Sequence, residues 1–440
     1  MKLSSEWNNE AYVSIHLVQE LLIKVGLPKK IGMMSCWYPE FSIKVPKIDG
    51  SGFIGKRVDF LIKDRTRYIN FLIEIKSAKR PIDDAARFQL CDKYLYHSKI
   101  KFGILIDPFS IEIYEDGQLK DQFKIDNPTN IEPIAIFLKN FLETIKMRTI
   151  AIHTSKGGVG KTTLVINIAY ELAKQGNRVL VVDLDDQANA SLSLGVNKAD
   201  EIDKAKNLEE VQQILESFEQ RKELIDFLVE SRYDDFDYSK YILPSLFNKY
   251  LSNTDGKIDV LPGSYRTLYV GALEKLPFPQ IRLRNGLQLL SGDYDYTIID
   301  TPPSYTTMTW NGIFAAQQVI IPSQMEYLSA YAISNPLMQI EEMNKQWSDS
   351  KTNVLGIVPM MTDGTNLNKK IKEMVKKSFK DIPMLPEIKR ATHVGQSLHK
   401  RIPLSIFAQD NPPAANVAKQ IINLTNEVVK TIIFLENKEI

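Results

Sequence analysis

Cysteine is scarce in this 440-residue chain, which carries only Cys36 and Cys91. That scarcity excludes a disulfide framework or a thiolate zinc site and fits a reducing compartment, expected to be the cytoplasm. The five histidines, His16, His97, His153, His393 and His399, share no metal-ligand spacing and read as structural or surface residues. Trp7, Trp37, Trp310 and Trp347 are too scattered to form a base-stacking platform. No stretch approaches the ~20 apolar residues of a membrane span, and the opening MKLSSEWNNEAYVS lacks a signal-peptide core. An excess of one charge is missing too: 55 Lys and Arg against 54 Asp and Glu leave +1. Any nucleic-acid affinity must therefore come from local patches.

What is present is a chain 44% hydrophobic and 25% charged, long enough for two cores. Residues 1–146 open on an amphipathic segment, NEAYVSIHLVQELLIKVG, closed by Gly26 and Pro28. Strand-like runs FSIKVPKI, RVDFLIK, NFLIEIK, FGILIDP and SIEIYED follow, with a helical stretch DDAARFQLCDKYLYHS among them. This order predicts a small α/β unit. From residue 147 onward, strands and helices alternate as in a doubly wound parallel sheet. Residues 197–240 are charged, helical in pattern, and expected to be a solvated insertion into residues 147–440 or a partner-docking surface.

KGGVGKTT (Lys156, Gly157, Gly158, Val159, Gly160, Lys161, Thr162, Thr163) lies between an apolar strand and the helical TLVINIAYELAKQG. That is the context a phosphate loop requires. Glycines let backbone N–H groups approach phosphates, Lys161 reaches terminal oxygens, and Thr162 can ligand Mg²⁺. With the extra Lys156, VLVVDLDD (Asp183, Asp185) and YDYTIIDTPPS (Asp300), residues 148–435 resemble the ParA/MinD family of deviant Walker ATPases. The resemblance implies a P-loop NTPase fold, ATP as cofactor and dimerisation around sandwiched ATP. It further implies that Lys156 acts on the partner's phosphates, Asp185 positions attacking water, and Asp183 and Asp300 hold Mg²⁺, directly or through water.

The strand NFLIEIK places Glu74 and Lys76 on one face by its period of two. Asp59, in RVDF, precedes Glu74 by fourteen intervening residues, so adjacent strands can bring both carboxylates to one Mg²⁺ or Mn²⁺, with Lys76 beside an attacking water. This is the D…E-x-K pattern of the PD-(D/E)xK nuclease superfamily, with Val58 at the position of its proline. Residues 6–115 resemble the amino-terminal nuclease domain of type I restriction enzyme motor subunits, a restriction-endonuclease-like α/β fold. That resemblance implies that Glu10 assists the metal and that Gln89 and Tyr94 contact DNA or the active site.

NLNKKIKEMVKKSFKD sets Lys369, Lys372, Lys376 and Lys380 at helical spacing; with Arg390 they form the candidate DNA face, the alternative being a solvated helix. The carboxyl-terminal IINLTNEVVKTIIFLENKEI has too few cations for a membrane-surface helix. The expected function is an ATP-dependent dimer that gates a metal-dependent DNA endonuclease, with a defence role against phage or plasmid DNA and a protein activator as a further partner. The rival is a partition-type ATPase that binds DNA nonspecifically and carries a silent adaptor at its amino end.

Overall fold

The computed structural model describes residues 3–31, 34–47, 51–196, 204–219, 221–233, 236–268, 271–346 and 351–438. Trp347 and parts of the expected insertion (197–203, 220 and 234–235) lie outside the described residues. The chain divides into two compact units, Met1–Met147 with Gln288–Gly292, and Arg148–Leu287 with Asp293–Ile440.

The first unit is built on a six-stranded sheet: β1 (Trp37–Pro46), β2 (Phe53–Asp64), β3 (Ile69–Ile75), β4 (Phe102–Ile106), β5 (Ser110–Glu115) and β6 (Gln118–Lys124), in that spatial order. β3 and β4 are parallel and the other neighbours antiparallel. The crossover between β3 and β4 is the helical stretch Asp84–Phe88, Gln89–Leu95 and Tyr96–Ser98, begun by the Asp83 carboxylate accepting from Ala86 N. All seven residues of β3 are buried because both of its faces are covered. Ile69, Phe71, Ile73 and Ile75 pack with the amino-terminal helical residues and with α1 (Ile131–Ile145), while Leu72 packs with Leu90, Tyr94 and Leu105. Glu74 alternates onto the Leu72 face, as the sequence period requires. β6 has no counterpart among the expected strands; its QLKDQFK is polar and almost wholly exposed, which is how an edge strand reads.

The second unit carries eight strands: β7 (Arg148–Ile152), β8 (Arg178–Asp183), β9 (Leu243–Pro244), β10 (Lys257–Leu261), β11 (Tyr296–Asp300), β12 (Gln318–Gln324), β13 (Asn353–Thr362) and β14 (Ile388–Lys389). Their order is β9-β10-β8-β11-β7-β12-β13-β14, parallel throughout except for the short β9 edge. This is the expected doubly wound sheet. α2 (Lys161–Lys174) follows β7 and is buried along most of its length, sharing a core with the carboxyl-terminal α5 (Ala415–Lys438). Between them in sequence come α3 (Ser329–Gln346) and α4 (Asn366–Ser378).

The expected insertion is helical over Leu208–Glu219 and Leu224–Glu230, but the second helix is not a solvated excursion. Leu224, Ile225, Phe227 and Leu228 are buried, and the Phe227 ring lies where a Cβ on Gly286 would come within 2.3 Å. Arg266 pairs with Asp226 at 2.9 Å. Tertiary burial overrides the charged composition that made the segment look external.

Leu72 is fully buried in the middle of the first unit's core. Leu72→Ala is expected to destabilise that unit by about 2–5 kcal/mol, seen as a lower urea midpoint. An unchanged midpoint would show that the strand is not central.

Candidate functional site

In the first unit, five of the sequence-predicted side chains, Asp59, Glu74, Lys76, Gln89 and Tyr94, gather at the carboxyl end of β3. Asp59 Oδ2 accepts from the Ile75 backbone N–H at 2.7 Å, which docks the β2 carboxylate onto the neighbouring strand. Lys76 Nζ donates to Glu74 Oε1 at 2.8 Å. Gln89 Nε2 donates to the same oxygen at 3.0 Å and to Tyr94 Oη at 2.5 Å, and Tyr94 in turn donates to the Arg57 carbonyl at 2.8 Å.

The Gln89–Tyr94 pair depends on local helix geometry. With about 3.6 residues per turn, an α-helix sets residues five apart roughly 140° around its axis. Gln89–Leu95 is π-helical, and its wider turn brings positions i and i+5 onto one side.

Burial, first, and the Asp59 charge, second, push the Glu74 carboxyl up to about 7 against the opposing Lys76 hydrogen bond. Burial also raises Asp59, with the Ile75 amide and Lys76 pulling the other way. Glu74 Oε2 is buried and accepts no hydrogen bond of standard geometry, the Asp59 backbone N–H being near enough only to pull the Glu74 carboxyl down a little. An orphaned carboxylate oxygen beside a second raised carboxylate suits a hard cation such as Mg²⁺ or Mn²⁺. Glu10, expected to assist the metal, acts on Asp59 through its like charge. Among the described residues no three or more His, Cys, Asp or Glu side chains are grouped to hold a metal ion, so Glu10 does not complete a ligand triad.

The second site lies at the carboxyl ends of β7, β8 and β11. Gly158 (φ +72°) and Gly160 (φ +97°) take the left-handed conformations the phosphate loop needs, and open space surrounds the Cβ positions of Gly157 and Gly158. Thr162 and Thr163 follow in the first turn of α2, and the Val159 side chain is buried. Lys161 is buried; desolvation lowers its ammonium, opposed by Asp300 and Asp185. Thr162 Oγ1 donates to Asp300 Oδ2 at 2.7 Å, while Asp300 Oδ1 is buried and unpartnered. Burial and then the Asp183 charge hold Asp300 well above the usual carboxylate range. Thr162 and the orphaned Asp300 oxygen therefore fit Mg²⁺.

Asp183, expected alongside them, is otherwise engaged. Its Oδ2 accepts from Ser191 N (2.8 Å) and Oγ (2.7 Å), and its Oδ1 from Asp185 N (3.2 Å). Its carboxyl, pushed up to about 6 by burial, braces the loop after β8. Asp185 Oδ1 accepts from Gln187 N at 3.0 Å, and the carboxylate reaches Lys161 through its charge.

Lys156 is tied to the segment at the end of β12, whose Gln324 also reaches the Gly158 carbonyl of the loop. Its Nζ donates to Gln324 Oε1 (3.0 Å) and Glu326 Oε2 (2.9 Å), at a half-exposed position. Gln324, Glu326 and Ser191 were not expected to be site residues; only the proximity of SQMEYL to the end of β12 hinted at the first two.

The basic helix is rearranged relative to expectation. Lys369, Lys370 and Lys377 of α4, with Glu373, Met374 and Ser378, line a surface groove of about 520 Å³. Lys372 instead pairs with Glu387 at 2.7 Å beside buried Ile371, Lys376 is exposed in the last turn, and Lys380 lies beyond the helix end. Arg390 lies near enough to Asp363 to help lower its carboxyl, after the larger effect of the Thr365 hydrogen bonds. No helix among the described residues is long and apolar enough to cross a membrane.

A family model described as an AAA domain matches residues 147–354. The sporulation initiation inhibitor protein Soj of Bacillus subtilis is 31% identical over 284 residues, spanning 64% of this chain and 98% of that protein. The chromosome-partitioning ATPase Soj of Thermus thermophilus is 30% identical over 267 residues, 59% of this chain and 90% of that one. Among solved structures, the ATP complex of a Cyanothece McdA variant superposes with a TM-score of 0.51 at 19% identity, covering 65% of this chain and 96% of that chain, a likeness of fold.

His153, just after β7, is held neutral by burial, which lowers its imidazole to about 4; its nitrogens meet Thr301 Oγ1 and Gln339 Oε1, both at 2.9 Å. Because the folded value lies below the unfolded one, the unfolded chain binds the extra proton between about pH 6.5 and 4. Stability of the second unit should therefore fall with acidification across that window by up to ~1.4 kcal/mol per pH unit. His153→Gln should remove this component from urea titrations; an unaltered slope would mean that the imidazole is not held neutral.

Proposed function

The chain belongs to the Soj/ParA family of P-loop ATPases through its carboxyl-terminal unit, and on that premise we propose that it is an ATP-driven dimerising switch gating a metal-dependent DNA endonuclease. The observation that carries the nuclease half is the meeting of Asp59, Glu74 and Lys76, two desolvated carboxylates and an ammonium, with Glu74 Oε2 left unpartnered. A structural strand gains nothing from that arrangement, because a buried unpaired carboxylate oxygen destabilises the fold.

In the ATPase unit, Lys161 and the loop amides bind phosphate oxygens, Thr162 and Asp300 hold Mg²⁺, and Asp185 orients water. Mg²⁺ supplies charge compensation on the phosphates. The Lys156 ammonium is about half exposed in its bonds to Gln324 and Glu326, which supports a role on a second copy's nucleotide.

In the nuclease unit, Asp59 and Glu74 would hold Mg²⁺ or Mn²⁺, which supplies Lewis-acid stabilisation at phosphorus. Lys76 leaves Glu74 to orient the attacking water, Gln89 keeps Glu74 in place, and Tyr94 locks Gln89. Dimerisation through ATP would pair two single-site nuclease modules and so allow both strands of a duplex to be cut, an activity suited to defence against phage or plasmid DNA. The Lys369, Lys370 and Lys377 groove supports DNA contact by the ATPase unit. A second reading, a partition-type ATPase with a silent adaptor, is favoured by the chromosome-partitioning name of a relative.

Cleavage of plasmid and linear duplex DNA, with Mg²⁺ or Mn²⁺ and with or without ATP, separates the two. ATP-dependent cutting should be lost at least about a hundredfold in Asp59→Ala and Lys76→Ala. Wild-type protein that binds DNA with ATP and never cuts would favour the partition reading.

Lys156→Ala should retain ATP binding as a monomer yet lose the ATP-dependent dimer by light scattering. A dimer of undiminished stability would remove Lys156 from the interface.

A further inference from the structure

The strand that carries Asp59 ends in a second group of charged side chains. Cross-strand partners share a face of a sheet. In β2, Leu61 opposes Tyr38 on β1 and Leu72 on β3, and Lys63 opposes Asn70. Alternation therefore sets Lys63 on the face of Leu61 and Leu72, where the crossover helix packs, while Asp64 opposes Ile69 and belongs to the other face. Arg65 follows as the chain leaves the strand.

Lys63 and Arg65 converge on Tyr38. The Lys63 ammonium lies 5.2 Å from the centre of the Tyr38 ring, and Arg65 Nη2 donates to Tyr38 Oη at 3.3 Å. Both cations are half-buried, and Arg65 Nε is buried with no acceptor. Among the described residues no carboxylate pairs with either of them. The acid between them in sequence is already engaged: Asp64 Oδ1 accepts from Thr66 N, Thr66 Oγ1 and Arg67 N, and its Oδ2 accepts from Arg67 Nη1 at 2.7 Å. Burial, first, and the Arg65 charge, second, lower the Lys63 ammonium, and no acid opposes them. One ring face offsets part of one cation's lost hydration. Two partly desolvated like charges side by side destabilise a fold unless an anion joins them.

We infer that Lys63, Arg65 and Tyr38 form a binding site for a phosphate group. Two cations and a hydroxyl suit a doubly charged tetrahedral oxyanion. The guanidinium fork addresses two oxygens and the ammonium a third, and Tyr38 Oη, while accepting from Arg65, keeps its own proton to donate. A carboxylate would leave one of the two charges uncompensated. The site is separate from the carboxylates: Lys63 stands four residues beyond Asp59 on β2, about 13 Å away at ~3.3 Å per residue. Leu61, between them, is buried in the core that includes the crossover helix. The inference therefore rests on neither catalytic reading. A free phosphorylated small molecule and the backbone of a nucleic acid both present the required group.

The test uses the full chain carrying Lys161→Ala, so that the phosphate loop contributes little, and follows urea unfolding in sodium chloride and in sodium phosphate of equal ionic strength. Phosphate should raise the midpoint of this parent and leave unmoved that of the same chain with Lys63→Met and Arg65→Gln. Lys63→Arg, which keeps the charge, should keep the response. In chloride, Lys63→Met alone should be at least as stable as the parent, because it removes a repulsion and keeps the apolar stem. Calorimetric titration of inorganic phosphate and of a short single-stranded DNA then separates the sources. Affinity lower by about tenfold or more in the double variant for phosphate alone assigns a free ligand, and the same loss for both probes assigns a nucleic-acid backbone. Equal phosphate shifts in parent and double variant, or a shift in neither, would overturn the site. So would a Lys63→Met chain less stable than its parent in chloride, which would show that the ammonium is already compensated within the fold.

Discussion

Carboxylates held where water cannot reach them organise both units. Glu74 lies near the end of a strand covered on both faces, and Asp300 ends another that is buried along its length. Each gives one oxygen to a protein donor, Lys76 with Gln89 in one case and Thr162 in the other, and leaves its second oxygen orphaned. A buried carboxylate in that condition either retains a proton or takes up a cation. The upward shifts of Glu74 and Asp300 express the first tendency, and the second is what phosphate chemistry would use. Around these two acids the remaining polar groups are arranged as tethers. Ile75 N–H holds Asp59, Ser191 holds Asp183, and Tyr94 holds Gln89, so the reactive oxygens are left little freedom to reorient.

Much of this was legible because local rules and tertiary demands agree. The period of two fixes Glu74 and Lys76 to one face, and their 2.8 Å contact follows. The phosphate loop is legible because strand, glycine loop and helix are consecutive in the chain, so no long-range packing is needed to recognise it. The alternation after residue 147 gives the parallel sheet for the same reason.

What sequence did not disclose depends on contacts between distant residues. Lys372 has the spacing of a DNA-facing lysine, yet Glu387, fifteen residues on, engages its charge. Leu224–Glu230 looks solvated by composition and is buried because Gly286 leaves room for the Phe227 ring. Asp183 carries the sequence context of a metal ligand, and its hydrogen bonds from Ser191, eight residues on, were not visible there. The bend beside Asp59 is similarly hidden: Glu40, across from it, adopts φ +49°, where an L-residue is uncommon, and the ladder skips that pair.

Lys156 gives the two halves of the proposed function a common logic. Its ammonium is held at a half-exposed position by Gln324 and Glu326. A transferring phosphoryl group needs compensation as charge spreads over its oxygens, and a lone copy would supply Lys161, the loop amides and the residues for Mg²⁺ but no lysine from a partner. On the proposed reading, hydrolysis would favour the state in which a second copy offers its own Lys156. On the same reading the first unit would have a parallel deficiency, because one Asp59–Glu74 pair would address one phosphodiester at a time. A chain incomplete for ATP turnover and for double-strand cutting in the same stoichiometric sense would tie both to dimer formation, and the concentration of ATP-loaded chain would then govern each.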